Sequence, residues 1–158
     1  MCEGAVSGAW LKQFSLNNPG KPVTIEISSG GGYVISGLRL FDYLVYLRDR
    51  KKHRITMVVL GQACSMAGIL FQAASKNCRF MGANSRLMIH EMSSGDYGKT
   101  TDRKESLAVD VKLEKRLLEI LASRSKLSLR KIAVRWRKTD WWLNAQEAID
   151  DGFADAIW

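Results

Sequence analysis

One buried strand in the first half of the chain limits the fold more than any other feature of the sequence. Residues 55–60 read Ile-Thr-Met-Val-Val-Leu, and a nearly continuous apolar run of this length is typical of a parallel strand covered on both faces. Ahead of it, residues 23–27 alternate apolar and polar side chains like a strand, and apolar residues from Val34 to Val45 recur at helical spacing. Strand, helix and strand in this order predict an α/β layer fold with right-handed crossovers.

The composition is that of one globular domain, which we assign to residues 1–158. Hydrophobic residues make up 46% and charged residues 25% of the chain, enough to build a buried core. No stretch approaches the roughly 18 apolar residues of a membrane helix, and residues 1–4 lack the basic start of a secretory signal. Cys2, Cys64 and Cys78 form no CxxC motif, which disfavours a zinc site or a disulfide framework. We expect a cytoplasmic protein without a membrane partner.

The second half of the chain is predicted to be mostly helical. A long amphipathic helix over about residues 101–124 is too long and too apolar on one side to be fully covered by a chain of this size. Its apolar stripe consists of Leu107, Val111, Leu118 and Leu121. Ser128 and Asn144 are positioned to cap two further helices. The other predicted elements are helices at residues 5–16 and 65–74 and strands at residues 78–81, 86–89 and 153–157.

Basic residues outnumber acidic ones, and seven of them lie within residues 124–138. The formal net charge of the chain is +8, and no acid interrupts that segment. Two interpretations stay open, a solvated helix face or an electrostatic surface for nucleic acid. The sequence contains no helix-turn-helix, zinc-finger or RNP motif, so nucleic acid is kept only as a minor alternative partner.

Ser65 stands where the buried strand gives way to a helix. Backbone N–H groups at the start of a helix point outward, so an oxyanion formed at this serine would find hydrogen-bond donors in place. The small residues Gly61, Ala63 and Gly68 allow backbone and substrate to approach closely. From the residues alone, Ser65 is either a nucleophile or a simple helix cap.

His90 follows the predicted strand at residues 86–89, and strand ends are where α/β folds place active residues. A serine hydroxyl needs a base with a pKa of about 7, for which histidine is the natural choice. The other histidine, His53, lies in a charged segment and is expected to be solvated. The third member should be a carboxylate, and spacing leaves six candidates open: Glu91, Asp96, Asp102, Asp140, Asp150 and Asp151.

A glycine-rich loop at residues 28–32, read Ser-Ser-Gly-Gly-Gly, follows the first predicted strand. It has neither a GK[ST] ending nor a GxGxxG pattern, which disfavours nucleotide binding. Its other interpretation is a ribbon whose backbone supplies an oxyanion donor and pairs with an extended peptide. No metal-ligand cluster is found in the sequence, so we expect no cofactor.

Four ordered segments resemble the proteolytic subunit family of Clp protease, serine peptidases of the ClpP/crotonase fold. Residues 28–34 resemble its NSPGGxV sequence, residues 61–67 its GQAASMG box and residues 84–91 its NSRxMIHQ box. Residues 140–155 follow its pattern D-x-F-L-[ST]-A-x-E-A, then G-[LF]-x-D. The resemblance implies repeated β-β-α units with a protruding long helix at about residues 101–124.

The resemblance also implies roles for individual residues. Ser65 is the nucleophile, His90 the base and Asp140 the third member, because Asp140 directly precedes the segment that matches the family. The oxyanion donors are the backbone N–H groups of Gly32 and Met66, and Gly31 is counted with the substrate-binding residues.

The activity implied by the resemblance is that of a serine endopeptidase that cleaves unfolded polypeptides inside an oligomeric chamber. A homo-oligomer, as a heptameric ring or a double ring, and a separate ATP-dependent unfoldase are the implied partners. The alternative from another class is a catalytically silent ring component or scaffold. Such proteins usually lose triad residues, whereas Ser65, His90 and Asp140 are all present.

The sequence departs from the family pattern at several points. Gly30 replaces the proline of the glycine ribbon, and Tyr33 replaces a usually small residue. Residues 48–53 resemble a short charged insertion. The family's N-terminal segment, which gates the pore and contacts the ATPase, has no match here. We expect either a trimmed or divergent form, such as a phage-type homologue, or a natural protein of which part is missing from this sequence.

Overall fold

A six-stranded sheet is the centre of the computed structural model, which describes residues 8–95, 97–137 and 139–158. The strands are β1 (Val23–Ser29), β2 (Ile55–Cys64), β3 (Arg79–Met81), β4 (Arg86–Ile89), β5 (Trp141–Asn144) and β6 (Ala156–Ile157). The helices are α1 (Gly8–Asn17), α2 (Val34–Asp49), α3 (Met66–Phe71), α4 (Thr100–Ser123), α5 (Leu129–Trp136) and α6 (Ala145–Asp150). Their alternation confirms the predicted α/β class.

The predicted buried strand is β2, and it changes neighbours along its length. Its first half lies between β1 and β3, both parallel to it. Its last three residues pair with β4 in place of β3, with Ala63 opposite Leu87, and Ser29 of β1 still pairs with Ala63. Gly61 has a φ of 92° and separates the two halves, and the β1 register shifts after Ile27. The sheet is therefore curled, and the carboxyl end of β2 is delivered to the layer that contains β4.

Two strand predictions need correction at the end of the chain. β5 was not predicted, although it pairs antiparallel with β4. Asn144 obscured it, because the same residue ends β5 and also caps α6 by accepting a hydrogen bond from the Glu147 N–H. The final strand was predicted over residues 153–157 but spans only Ala156–Ile157, since Phe153 and Ala154 pack into the core.

His53 is buried, not solvated as predicted, with only 2% of its surface exposed. Lys52 adopts a left-handed backbone (φ 60°), and His53, which follows this turn, contacts α1 and the loop before β1. Its Nδ1 lies 2.7 Å from the Lys21 carbonyl oxygen and its Nε2 lies 2.8 Å from Ser15 Oγ. The imidazole, which also contacts the ring of Phe14, therefore ties α1 to the loop before β1.

The long helix α4 is only partly attached to the core. Leu117, Leu118, Ile120 and Leu121, all in its C-terminal half, are buried. Leu107 and Val111, in its N-terminal half, are 62% and 56% exposed. The predicted stripe is thus divided, because Leu118 and Leu121 pack inside this chain and only Leu107 and Val111 are left uncovered. No helix among the described residues has the length and apolar character needed to cross a membrane.

An ion pair joins β3 to the C-terminal segment. Arg79 Nη2 lies 2.6 Å from Asp155 Oδ1, and Arg79 Nε and N–H both donate to Asp155 Oδ2. Arg79 Nη1 donates to Gln72 Oε1 and to the Arg124 carbonyl. Burial raises the pKa of Asp155, but the hydrogen bonds from Arg79 outweigh burial and hold that pKa below its usual value. The Arg79 side chain thus links β3 to the residue after α3, to the residue after α4 and to the segment before β6.

Asp155→Asn is expected to lower the free energy of unfolding by about 3 kcal/mol, because Arg79 would keep a buried, unpaired charge. The exposed pair Arg48–Asp49 provides the control, and Asp49→Asn should cost less than about 1 kcal/mol.

The contribution of Asp155 to stability should also depend on pH. Because the pKa of Asp155 is lower in the folded state, its contribution to stability is present above the unfolded pKa and is lost as pH falls through the folded pKa. Urea unfolding at several pH values between about 7 and about 3 measures both the loss of stability in each variant and its pH dependence. Equal losses in the two variants would contradict the role given to Asp155.

Candidate active site

Ser65 lies at a sharp turn between β2 and α3. Its backbone has φ 54° and ψ −124°, a conformation that costs a non-glycine residue on the order of 1–3 kcal/mol. The Ser65 N–H donates to the Met88 carbonyl at 2.8 Å, and its own carbonyl accepts from the Gly68 and Ile69 N–H groups. Its hydroxyl makes no capping hydrogen bond to α3, all of whose residues are described. The geometry therefore does not support the simple-cap interpretation.

Gly31 packs directly against this turn. Its φ of +106° favours glycine, and a Cβ added to it would lie 2.7 Å from Ser65 Cβ and 2.9 Å from the Cys64 carbonyl oxygen. Its N–H donates to Ser29 Oγ at 3.2 Å. Gly31 thus allows the glycine ribbon to lie close to Ser65. Its N–H is already hydrogen-bonded to Ser29 within the loop.

A small cavity of about 70 Å³ brings four of the predicted site residues together. Ser65 and His90 both line it, as do Gly32 and Met66, the residues assigned as oxyanion donors. Most of its other lining residues are apolar: Val34, Ile69, Ile89, Met92, Leu117 and Trp136. Such a lining lowers the local dielectric and strengthens hydrogen bonds to any charge that develops inside.

His90 and Asp140 are neighbours because β4 and β5 pair antiparallel. Ile89 lies opposite Trp141, so the residue after β4 and the residue before β5 meet at one end of the pair. His90 Nδ1 lies 3.8 Å from Asp140 Oδ1, longer than a hydrogen bond, and the two side chains are 27% and 60% exposed. Catalytic hydrogen bonds are often long without substrate and tighten in the substrate complex.

The other candidate carboxylates have different surroundings. Asp151 pairs with Arg135, and Asp150 accepts a hydrogen bond from Gln146. Asp102 lies in the first turn of α4 and is exposed, and Glu91 directly follows His90. Asp96 lies outside the described residues. Asp140 forms an ion-pair contact with His90, which distinguishes it from Asp102, Asp150 and Asp151.

The thiol beside the serine is kept protonated. Cys64 is buried, and burial raises the pKa of its thiol, which the Asp140 carboxylate raises further. A protonated thiol is a poor nucleophile. The hydroxyl of Ser65 is thus the group at this turn that is left for nucleophilic chemistry.

Sequence analysis did not predict two residues that line the cavity. Trp136 from α5 and Leu117 from α4 are both buried and line the cavity. The spacing of Ile132 and Trp136, one helical turn apart, indicated a buried face of α5 but not which cavity that face would reach. Long-range packing determines this, and local periodicity does not encode it.

Gly31→Ala is expected to lower the free energy of unfolding by about 2–4 kcal/mol, because a strained φ and a contact with Ser65 are imposed together. Gly30→Ala is the matched control, since an added Cβ there meets nothing within 4 Å. The control should stay within about 1 kcal/mol of the parent protein. Chemical denaturation of the three proteins measures the difference. A Gly31→Ala protein as stable as the control would contradict the close packing described here.

Comparison with known families gives one match. The model of the Clp protease family matches residues 6–158, which include every element of the fold and all the predicted site residues. The mixed α/β architecture with its curled sheet is of the ClpP/crotonase type. Since the match covers nearly the whole chain, the protein belongs to the Clp protease family of peptidases.

Proposed function

We propose that the protein is a serine endopeptidase that hydrolyses peptide bonds of unfolded polypeptides. The observation that carries this proposal is the shared cavity of Ser65 and His90, with Asp140 3.8 Å from the imidazole. Serine, imidazole and carboxylate in this order are the groups that acyl transfer requires. Family membership supports the peptidase activity, and the geometry supports the serine mechanism.

In the proposed mechanism, Ser65 Oγ attacks the carbonyl carbon of the scissile bond while His90 takes the hydroxyl proton. Nδ1 of His90 faces Asp140, so Nε2 is the nitrogen available for that transfer. Collapse of the tetrahedral intermediate breaks the C–N bond, and His90 returns the proton to the leaving amine. Water activated by the same imidazole then hydrolyses the acyl-enzyme and regenerates Ser65.

The developing oxyanion needs preorganised donors. The backbone N–H groups of Gly32 and Met66 are proposed for this role, because both residues line the cavity beside Ser65. Met66 begins α3, where N–H groups lack partners within the helix. Loss of one such donor typically costs about 10²–10³ in rate.

The proposed substrate is an extended, unfolded segment. The glycine ribbon at residues 30–32 follows the parallel strand β1 and ends at the cavity, so its backbone can pair with an extended peptide. Unfolding of larger substrates would fall to a separate ATP-dependent partner, and the proposed setting is cytoplasmic.

The two alternatives receive less support. A silent scaffold has no need of a strained backbone at Ser65 or of an ion-pair contact between His90 and Asp140. The basic segment proposed for nucleic acid is partly used inside the fold. Arg124 donates to the Ala74 carbonyl, and Arg135 pairs with Asp151 and stacks over Trp141.

Ser65→Ala is expected to reduce hydrolysis of an unstructured fluorogenic peptide by at least about 10³, because the nucleophile is removed. Ser94→Ala, a change at an exposed serine of the segment after His90, is the control and should leave turnover unchanged. Matching thermal unfolding curves would show that both variants fold. Unchanged turnover in Ser65→Ala would remove Ser65 from the mechanism and favour the scaffold alternative.

Assembly into rings is the second part of the proposal, and it rests on the uncovered half of α4. Val111→Asp should dissociate the oligomer and depress peptidase activity together, since Leu107 and Val111 are exposed and apolar. Val134→Asp on α5, also 69% exposed, is the control and should change neither. Light scattering with a parallel activity assay measures both. A fully active monomer of the parent protein would refute the proposed dependence on assembly.

A further inference from the structure

A surface groove of about 530 Å³ lies away from the candidate active site. It is formed by the segment before β3, the end of α4 with the residues that follow it, and the segment between α6 and β6. Arg79 in the groove pairs with Met57 near the start of β2, whereas Ser65 follows the end of that strand. The groove is therefore separate from the site described above.

The floor of the groove is held rigidly. The Lys126 N–H donates to the Asp151 carbonyl at 2.9 Å, and a Cβ added to Gly152 would lie 2.8 Å from Lys126 N. Arg79 donates to the Arg124 carbonyl at 2.7 Å, which fixes the chain where α4 ends. These contacts fix the backbone positions of Arg124 and Lys126, from which their side chains extend.

Positive charge in the groove exceeds negative charge. Arg79 and Asp155 neutralise each other in their short ion pair. Arg124 also lines the groove, and no carboxylate in the described part of the chain lies within 4 Å of its guanidinium. Its Nη2 donates to the Ala74 carbonyl, and its Nε is buried without a hydrogen-bond partner among the described residues.

Arg124 is also crowded by other cations. Burial lowers the pKa of Arg124, and the guanidiniums of Arg79 and Arg48 lower that pKa further. The carboxylates of Asp155 and Asp49 offset only part of this effect. Two exposed lysines, Lys76 and Lys126, also line the groove, and Lys126 Nζ donates to the Ile149 carbonyl at 3.1 Å. Three cations that form no ion pair within the described residues thus line one groove.

We propose that this groove binds a phosphate group, as inorganic phosphate or as the phosphate of a small molecule, through Arg124, Lys76 and Lys126. A guanidinium presents a planar set of donors that matches phosphate oxygens, and lysines add point charge. A tetrahedral anion accepts hydrogen bonds from several directions, which suits cations delivered by separate segments. Because the three cations line a single groove of about 530 Å³, a compact anion is favoured over an extended polyanion.

Isothermal titration of the assembled, full chain with inorganic phosphate and with pyrophosphate, at constant ionic strength, tests the proposal. The Lys76→Gln, Lys126→Gln double variant should raise the Kd about tenfold, which corresponds to about 1.4 kcal/mol. Both lysines are exposed, so the variant is expected to fold, and its melting temperature checks this. Lys115→Gln, an exposed lysine of α4 outside the groove, is the control for net charge.

Saturable binding that weakens in the double variant but not in Lys115→Gln would support the site. Pyrophosphate binding more tightly than phosphate would indicate a phosphorylated small molecule as the ligand, and equal affinity would indicate free phosphate. Absence of saturable binding, or equal weakening in the double variant and in Lys115→Gln, would overturn the proposal, because the charge would then act only as a diffuse surface field.

Discussion

The backbone turn at Ser65 is the constraint on which the arrangement of the candidate site depends. It reverses the chain from β2 into α3 within one residue, in a left-handed conformation (φ 54°) that a side chain rarely adopts. The hydrogen bond from the Ser65 N–H to the Met88 carbonyl holds the turn against β4, and Gly31 packs on its other side. Strain of about 1–3 kcal/mol persists because these contacts over-determine it.

The remaining parts of the site follow from the curl of the sheet around that turn. β2 exchanges β3 for β4 while keeping β1 as a neighbour, and β4 in turn pairs with β5. His90 therefore shares the cavity with Ser65, and Asp140 lies next to His90, although these residues come from distant parts of the sequence. The Arg79–Asp155 pair closes the same sheet near the start of β2 and joins the C-terminal segment to β3. Strand pairing thus determines where the site residues lie, and buried polar contacts make the sheet rigid.

Local patterns predicted much of this fold, and the failures have physical causes. The apolar run at residues 55–60 and the capping residues Ser128 and Asn144 are local signals, so β2, α5 and α6 were predicted. β5 was missed because its four residues gain strand character only by pairing with β4. His53 and Leu118 were misjudged because their burial depends on distant contacts, with Lys21 and Ser15 in one case and with the core in the other. Asp140 was one of six candidates until family resemblance and the β4–β5 pairing singled it out.

Covalent labelling with a fluorophosphonate tests the central claim most directly, because such reagents need an activated serine and no natural substrate. Intact mass and peptide mapping should find one adduct, on Ser65, formed several orders of magnitude more slowly in His90→Ala and more slowly in Asp140→Asn. Asp150→Asn, a surface carboxylate without contact to His90, should label at the parent rate. An adduct on another residue, or labelling of Ser65 at the same rate in His90→Ala, would contradict the proposed triad.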